Sequence, residues 1–194
     1  MTVMRDKVVK ALVELEVRGD ENGLMPGYNV LVNFLPTSFW NTFAERMLNA
    51  APADKKDQVR AGLYQCAQEC GYHTGWGIIN SDEFQSVVMP MVTEGAKDVL
   101  RGAFAVFTAW GWAKSGVVQI KDSERMVIRA QDYYEQDIKS TNEKMGFMVK
   151  AVSGAFFDLA FGAKYPDGLG TFVCEQTKGI EVGDEFGEFV VTKK

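Results

Sequence analysis

The sequence predicts an α+β domain, with N-terminal helices packed on a C-terminal antiparallel sheet made of two hairpins that flank a helix. Three observations carry this. The 194 residues are 46% apolar, 12% aromatic and 24% charged, the composition of one ordinary globular core and not of a disordered, fibrous or disulfide-framework chain. Apolar residues recur at helical spacing as far as Trp110, and after Gly116 the period changes to alternation. Two pairs of alternating stretches, one before and one after a further helical stretch, read as the hairpins.

In chain order, residues 2–17 place Val8, Leu12 and Leu15 on a narrow stripe, and Arg18-Gly19-Asp20-Glu21-Asn22-Gly23 stops the helix. Such a stripe either packs back on its own core or pairs with another subunit. Residues 1–25 are accordingly set apart as an N-terminal helix available for dimerisation, ahead of a ligand-binding domain over 26–194. Tyr28 to Leu35, bounded by Pro26-Gly27 and Pro36, suits a short extended segment. Thr37 or Ser38 caps the next helix, which carries Phe39, Phe43 and Met47 along one stripe. Pro52 opens a long helix running to about Trp76, with Asp54 and Asp57 near its positive end. Another helix starts at Asn80-Ser81-Asp82-Glu83 and is split by Pro90. The stretch from Ala96 to Trp110, apolar on most of its circumference, is the predicted central buried helix.

Residues 117–121 and 125–130 flank Asp122-Ser123-Glu124 as the first hairpin. Residues 144–161 return to helix, with Gly146 and Gly154 allowing close packing. Residues 171–175 and 186–192 form the second hairpin, with Gly183-Asp184 in its connection.

The charge balance bounds the partners. Lys and Arg number 21 against 26 Asp and Glu, a net charge of -5, and the basic residues are scattered, which argues against nucleic acid or an anionic membrane as partner. No apolar run has the roughly 20 residues of a membrane helix. Three cysteines give no disulfide framework, and the charged N-terminus MTVMRDKVVK is no signal peptide, so a reduced, cytoplasmic protein is expected.

Familiar enzyme signals are absent: no phosphate-cradling glycine loop, no Gly-x-Ser-x-Gly elbow, no metalloprotease motif. Cys66, Cys70 and the single histidine, His73, share one helical face, but three ligands on consecutive turns of a straight helix converge poorly on one ion. Neither a metal nor a cofactor is expected. His73 lies within Gly71-Tyr72-His73-Thr74-Gly75-Trp76-Gly77, where glycines let another element or a ligand approach the backbone, and is the best single polar candidate. Trp110-Gly111-Trp112 either lines a cavity for a flat molecule or seals the junction of helix and sheet. The carboxylates around Tyr133-Tyr134, namely Asp132, Glu135 and Asp137, read as a solvated strand end. The candidate ligand-binding set is Tyr72, His73, Trp76, Met91, Phe107, Trp110 and Trp112, with His73 as candidate acid or base.

The C-terminal pattern Lys144-Met145-Gly146-Phe147, Gly154, Glu175-Gln176-Thr177-Lys178 and Gly183-Asp184-Glu185-Phe186-Gly187-Glu188-Phe189-Val190 resembles the closing signature of the 4-vinyl reductase domain family. The order of the upstream elements agrees. The resemblance implies a fold shared with trafficking-complex subunits and with the ligand-sensing domains of aromatic-responsive transcription activators. It also implies a homodimer holding a small hydrophobic or aromatic molecule. Many members carry zinc on cysteines near the final hairpin. Here those positions are Lys178 and Gly187, Met145 stands near a third, and Glu175 alone remains, so loss of the zinc is expected.

Together these readings predict a domain that binds a small apolar or aromatic molecule as sensor, carrier or accessory protein of a metabolic pathway. A sensor without an attached ATPase or DNA-binding domain would act on a separate partner. The alternatives are a small-molecule enzyme, a hydrolase or aromatic-pathway enzyme using His73 as acid or base, and a structural assembly subunit.

Overall fold

The structure, a computed structural model, describes residues 4–15, 18–33, 35–138 and 142–194. It is the expected α+β arrangement. Helices α1 (Arg5–Val13), α2 (Thr37–Ala50), α3 (Lys56–Ile79), α4 (Asp82–Val87) and α5 (Ala96–Ala109) precede strands β3 (Ala113–Lys121) and β4 (Arg125–Tyr133). Helix α6 (Phe147–Phe161) and strands β5 (Phe172–Lys178) and β6 (Gly187–Lys193) follow. The four long strands form one antiparallel sheet in the order β3-β4-β6-β5. The two hairpins therefore join through β4 and β6, whose register pairs Met126 with Val191 and Ile128 with Phe189.

The main core lies between this sheet and helices α5 and α6. Phe104 and Phe107 of α5 and Val152, Phe156 and Phe157 of α6 meet Met126, Ile128, Phe172, Phe189 and Val191 of the strands. Helix α6 is buried on nearly its whole circumference, in keeping with a sequence that is apolar apart from Lys150, Ser153 and Asp158. The sheet covers one side of it and α3 the other. Alpha-helical close packing there depends on small residues: a Cβ on Gly75 would lie 2.9 Å from Cδ1 of Leu159. Tyr64 of α3 reaches past α6 to accept the backbone N–H of Cys174 on β5 at 3.3 Å.

Helix α5 is sandwiched in the same way. Its Ala105 and Val106 face a second cluster holding Val8 and Leu12 of α1, Ile78 of α3 and Phe84 and Val88 around α4. The α1 stripe is thus satisfied inside its own chain by Val8 and Leu12, while Leu15 points outward. The proline split is as expected, α4 giving way to a 3-10 turn over Met89–Met91. A smaller cluster joins Ala44 and Leu48 of α2 to Ile138, Met145 and Phe147. Among the described residues no helix is long and apolar enough to cross a membrane.

The side-chain cap expected of Thr37 or Ser38 does not form, α2 starting at Thr37 behind Pro36 with no side-chain cap hydrogen bond. Two further expected elements differ. The extended segment at Tyr28 to Leu35 is not one strand: β1 (Pro26–Gly27) and β2 (Val30–Leu31) form a tight hairpin, with Tyr28 and Asn29 at φ 53° and 59° in its turn. The turn is held from outside. The Tyr28 N–H donates to Glu83 at 3.2 Å and its ring stands edge-on to Trp110, while the Asn29 amide donates to the Asn80 carbonyl. Phe34 of that segment lies outside the described residues. Helix α6 begins at Phe147 and not at 144: Gly146 is non-helical at ψ 56°, and the N–H groups of Met145 and Gly146 donate to Glu181 and Gln176 ahead of the helix.

Candidate functional site

The structure places the seven residues singled out in the sequence in three separate clusters. Tyr72 and His73, adjacent on α3, and Trp76 one turn on gather around Tyr165 in the loop after α6. Trp76 stacks on Tyr165 with ring centres 4.5 Å apart, and His73 Nδ1 lies 3.0 Å from the Tyr165 hydroxyl. The Tyr72 hydroxyl is buried and accepts the N–H of Gly168, and burial pushes its pKa up. Phe107 and Trp112 stack on one another at the edge of the main core, Trp112 meeting Tyr134 edge-on. Trp110 packs on Tyr28 in the second cluster, where Met91 also lies. The rings in these clusters fill one another's space.

An unfilled volume lies elsewhere, between α3, α5 and α6. It measures about 180 Å³ and is partly open to solvent. Gly75, Ile78, Leu100, Ala103 and Phe156 are its buried floor. Ile79, Ala96, Val99, Leu159 and Ala160 are its half-buried mouth. None of the seven expected residues lines it. One signal in the sequence did point there, the glycine-rich run around His73, since Gly75 belongs both to that run and to the floor.

The cavity follows from unequal helix spacing. The glycines of α3 bring it against α6, where a Cβ on Gly71 would crowd Val152 and one on Gly75 would crowd Phe156 and Leu159. Helix α5 has only Ala96, Val99, Leu100 and Ala103 to fill the angle between them, and two of these four are alanine. The start of α5 is fixed by Asp98, fully buried, whose carboxylate accepts the N–H groups of Thr93 and Glu94 at 2.8 and 2.9 Å and the Arg101 guanidinium at 2.8 Å. Burial alone would raise this carboxyl, but those donors outweigh it and hold it well below the usual carboxylate range. A rigid cap therefore sets where Ala96 and the cavity mouth stand.

The carboxylates of the β4 end divide in a way the sequence did not show. Asp132 and Asp137 are exposed as expected, but Glu135 is buried and accepts the N–H groups of Met148 and Val149 at 2.8 and 3.2 Å. It supplies the N-terminal cap that Gly146 cannot give α6. Burial pushes its pKa up to about 8, against the lowering pull of the two N–H groups.

Of the positions where the resemblance implies zinc, Met145, Lys178 and Gly187 lie around Tyr133 and its partners, while Glu175 is exposed on β5. The Tyr133 hydroxyl donates to Glu181, whose other oxygen accepts the N–H of Met145. Gln176 donates to Glu181 and to the Lys178 carbonyl, and Gly187 packs on the Tyr133 ring. Cys66 and Cys70 are exposed on α3 and Cys174 is buried in β5. Among the described residues no three His, Cys, Asp or Glu side chains are grouped to hold a metal ion.

No protein-family model and no curated protein sequence matches this chain. Solved structures do. The chain is similar to the phenol-responsive sensory domain of the transcription activator PoxR, crystallised with phenol, at a TM-score of 0.72 and 9% identity, covering 100% of this chain and 92% of that one. It is also similar to trafficking protein particle complex subunit 3 from Naegleria fowleri, covalently bound to palmitic acid, at a TM-score of 0.52 and 18% identity over 81% of this chain and 92% of that one. At these identities the likeness is one of fold, and the protein shares the fold of the activator sensory domain and the trafficking-complex subunit.

Proposed function

We propose that this protein is a small-molecule-binding domain of the sensor type, which takes up one small apolar or aromatic molecule between α3, α5 and α6. The observation that carries the reading is the apolar cavity of about 180 Å³ in a fold shared with a phenol-bound sensory domain. A dry apolar cavity of about 150 Å³ is enough to hold benzene, whereas sites for drug-sized molecules run from about 300 Å³ upward. A single ring or a short alkyl chain therefore suits it, and a nucleotide or a long acyl chain does not.

Two further points support how such a domain would act. Phe39, Phe43 and Met47 on α2 are 47%, 45% and 44% exposed, an apolar stripe suited to pairing two copies in a homodimer and signalling to a separate partner. Three free thiols, two of them exposed, suit the reducing cytoplasm.

The test is a titration of the isotope-labelled protein with benzene, toluene, phenol and cyclohexane, followed by amide chemical shifts. Saturable shifts centred on Ile78, Ala103 and Leu159 are expected. Absence of any saturable shift with all four at millimolar concentration would overturn the reading.

A further inference from the structure

We infer that the cavity between α3, α5 and α6 selects unfunctionalised hydrocarbons, single-ring arenes above all, and discriminates against their hydroxylated counterparts such as phenol. This rests on the reading of that cavity as the binding site and goes on to name its ligand class.

The lining carries the inference. The floor holds a glycine, an alanine, a leucine, an isoleucine and a phenylalanine, and the mouth holds two alanines, a valine, a leucine and an isoleucine. No hydroxyl, amide, imidazole, indole N–H or charge is among them. The polar groups that sequence reasoning would have aimed at a ligand are engaged elsewhere: His73 with Tyr165, and Tyr72 with Gly168. The carbonyls at the end of α3 next to the cavity are also occupied, Ile78 O by Ser81 and Ile79 O by Gln85. Asp98, the nearest buried carboxylate on α5, spends its oxygens on Thr93, Glu94 and Arg101.

A hydroxyl carried to the floor of this space therefore gives up water and finds no polar side chain to replace it. An apolar site of this kind disfavours an isostere bearing a hydroxyl by about tenfold to a hundredfold. At the mouth, which is partly open to solvent, a hydroxyl keeps some of its water, so the penalty falls on the end of the ring that enters the floor. Size sets the second limit: one ring with a methyl or ethyl substituent fills a volume of this order.

Toluene and phenol form the matched pair, equal in size and differing by CH3 against OH. Affinities are measured by calorimetry in sealed cells on the full chain, on Ala103→Ser and on Ala160→Leu. In Ala103→Ser a hydroxyl oxygen on the floor can accept from the phenol O–H while its own proton goes to the carbonyl one turn back. Toluene binding at least tenfold tighter than phenol, a ratio that falls several-fold in Ala103→Ser, and loss of toluene binding in Ala160→Leu are expected. Ala96→Leu, at another point of the mouth, replaces Ala160→Leu if that variant does not fold. Phenol binding as tightly as toluene overturns the ligand class and leaves the binding function standing. Binding of neither overturns both. Toluene binding that survives the filled-mouth variant that folds places the ligand elsewhere and overturns the inference.

Discussion

A Cβ on Gly71 would stand 2.9 Å from Cγ2 and 3.2 Å from Cα of Val152, so α3 and α6 touch backbone to backbone at this point. Gly71→Ala forces the two helices apart, and overpacking of this kind costs about 1–3 kcal/mol. The gain of about 1 kcal/mol from better helix propensity offsets part of it. Gly62, on the exposed side of the same helix, has nothing within 4 Å of its missing Cβ. Gly62→Ala is therefore expected to raise the melting temperature by about 2–4 °C and Gly71→Ala to lower it by a similar or larger amount. Calorimetric scans of the two variants check the contrast.

Glu135 predicts a pH dependence with a definite sign. Its pKa is pushed up to about 8 in the folded protein against about 4.3 in an unfolded chain. The folded state then holds a proton that the unfolded state has lost, so stability is full below the lower value and falls as pH rises toward 8. Asp158, also raised by burial, adds to the same slope at its lower end. Glu135→Gln keeps an acceptor for the Met148 N–H and cannot ionise. Urea midpoints at pH 5.5 and 8 are expected to differ clearly less in this variant than in the parent protein.

Asp98 has the opposite sign. Its carboxyl is held below the usual range, so its contribution is present at neutral pH and is lost as pH falls below about 4. Asp98→Asn weakens charged hydrogen bonds to Thr93, Glu94 and Arg101, at an expected cost of about 2–3 kcal/mol at pH 7. The loss is progressive down to the lowered folded value, so denaturation at pH 3 is expected to show a smaller difference between the two proteins than at pH 7.

Phe43→Asp tests the proposed dimer. The side chain is 45% exposed, so the folded monomer is expected to lose no more than about 0.5 kcal/mol. In sedimentation, the parent protein is expected as a dimer and the variant as a monomer. Two proteins of equal mass would place the interface off α2.

His73 is outside the cavity and exposed. His73→Gln breaks one surface hydrogen bond to Tyr165, worth about 1 kcal/mol at most, and is expected to leave arene affinity within about twofold. A loss of tenfold or more would bring the His73 and Tyr165 pair back into the site.

Most of the fold was legible because period and turn chemistry act locally. The switch to alternation after Gly116 located β3 and β4, and Asp122-Ser123-Glu124 marked their turn, where Ser123 takes φ 58°. The apolar sequence of α5 announced a helix buried on several sides. What failed was contingent on distant partners. Tyr28 looks like a strand residue, yet its position is set by Trp110 and Glu83, far along the chain. Glu135 looks like a solvated acid until the N-terminus of α6 arrives above it. The cavity was hidden for a different reason: aromatic and polar residues attract notice, while a void is made by alanine, glycine and valine, whose small size matters only when three helices are in place.

The contact between α3 and α6 has a consequence for how such a chain diversifies. Because glycines at 71 and 75 set the distance between those two helices, the void can be reshaped from Ala96, Val99, Ala103 and Ala160 without touching the seam. Gly75, Phe156 and Leu159 serve both the seam and the void, but the four positions named can change ligand range by themselves. A substitution that admits a larger guest or excludes the present one need not weaken the domain, so a lineage using this fold can drift from one ligand to another through folded intermediates.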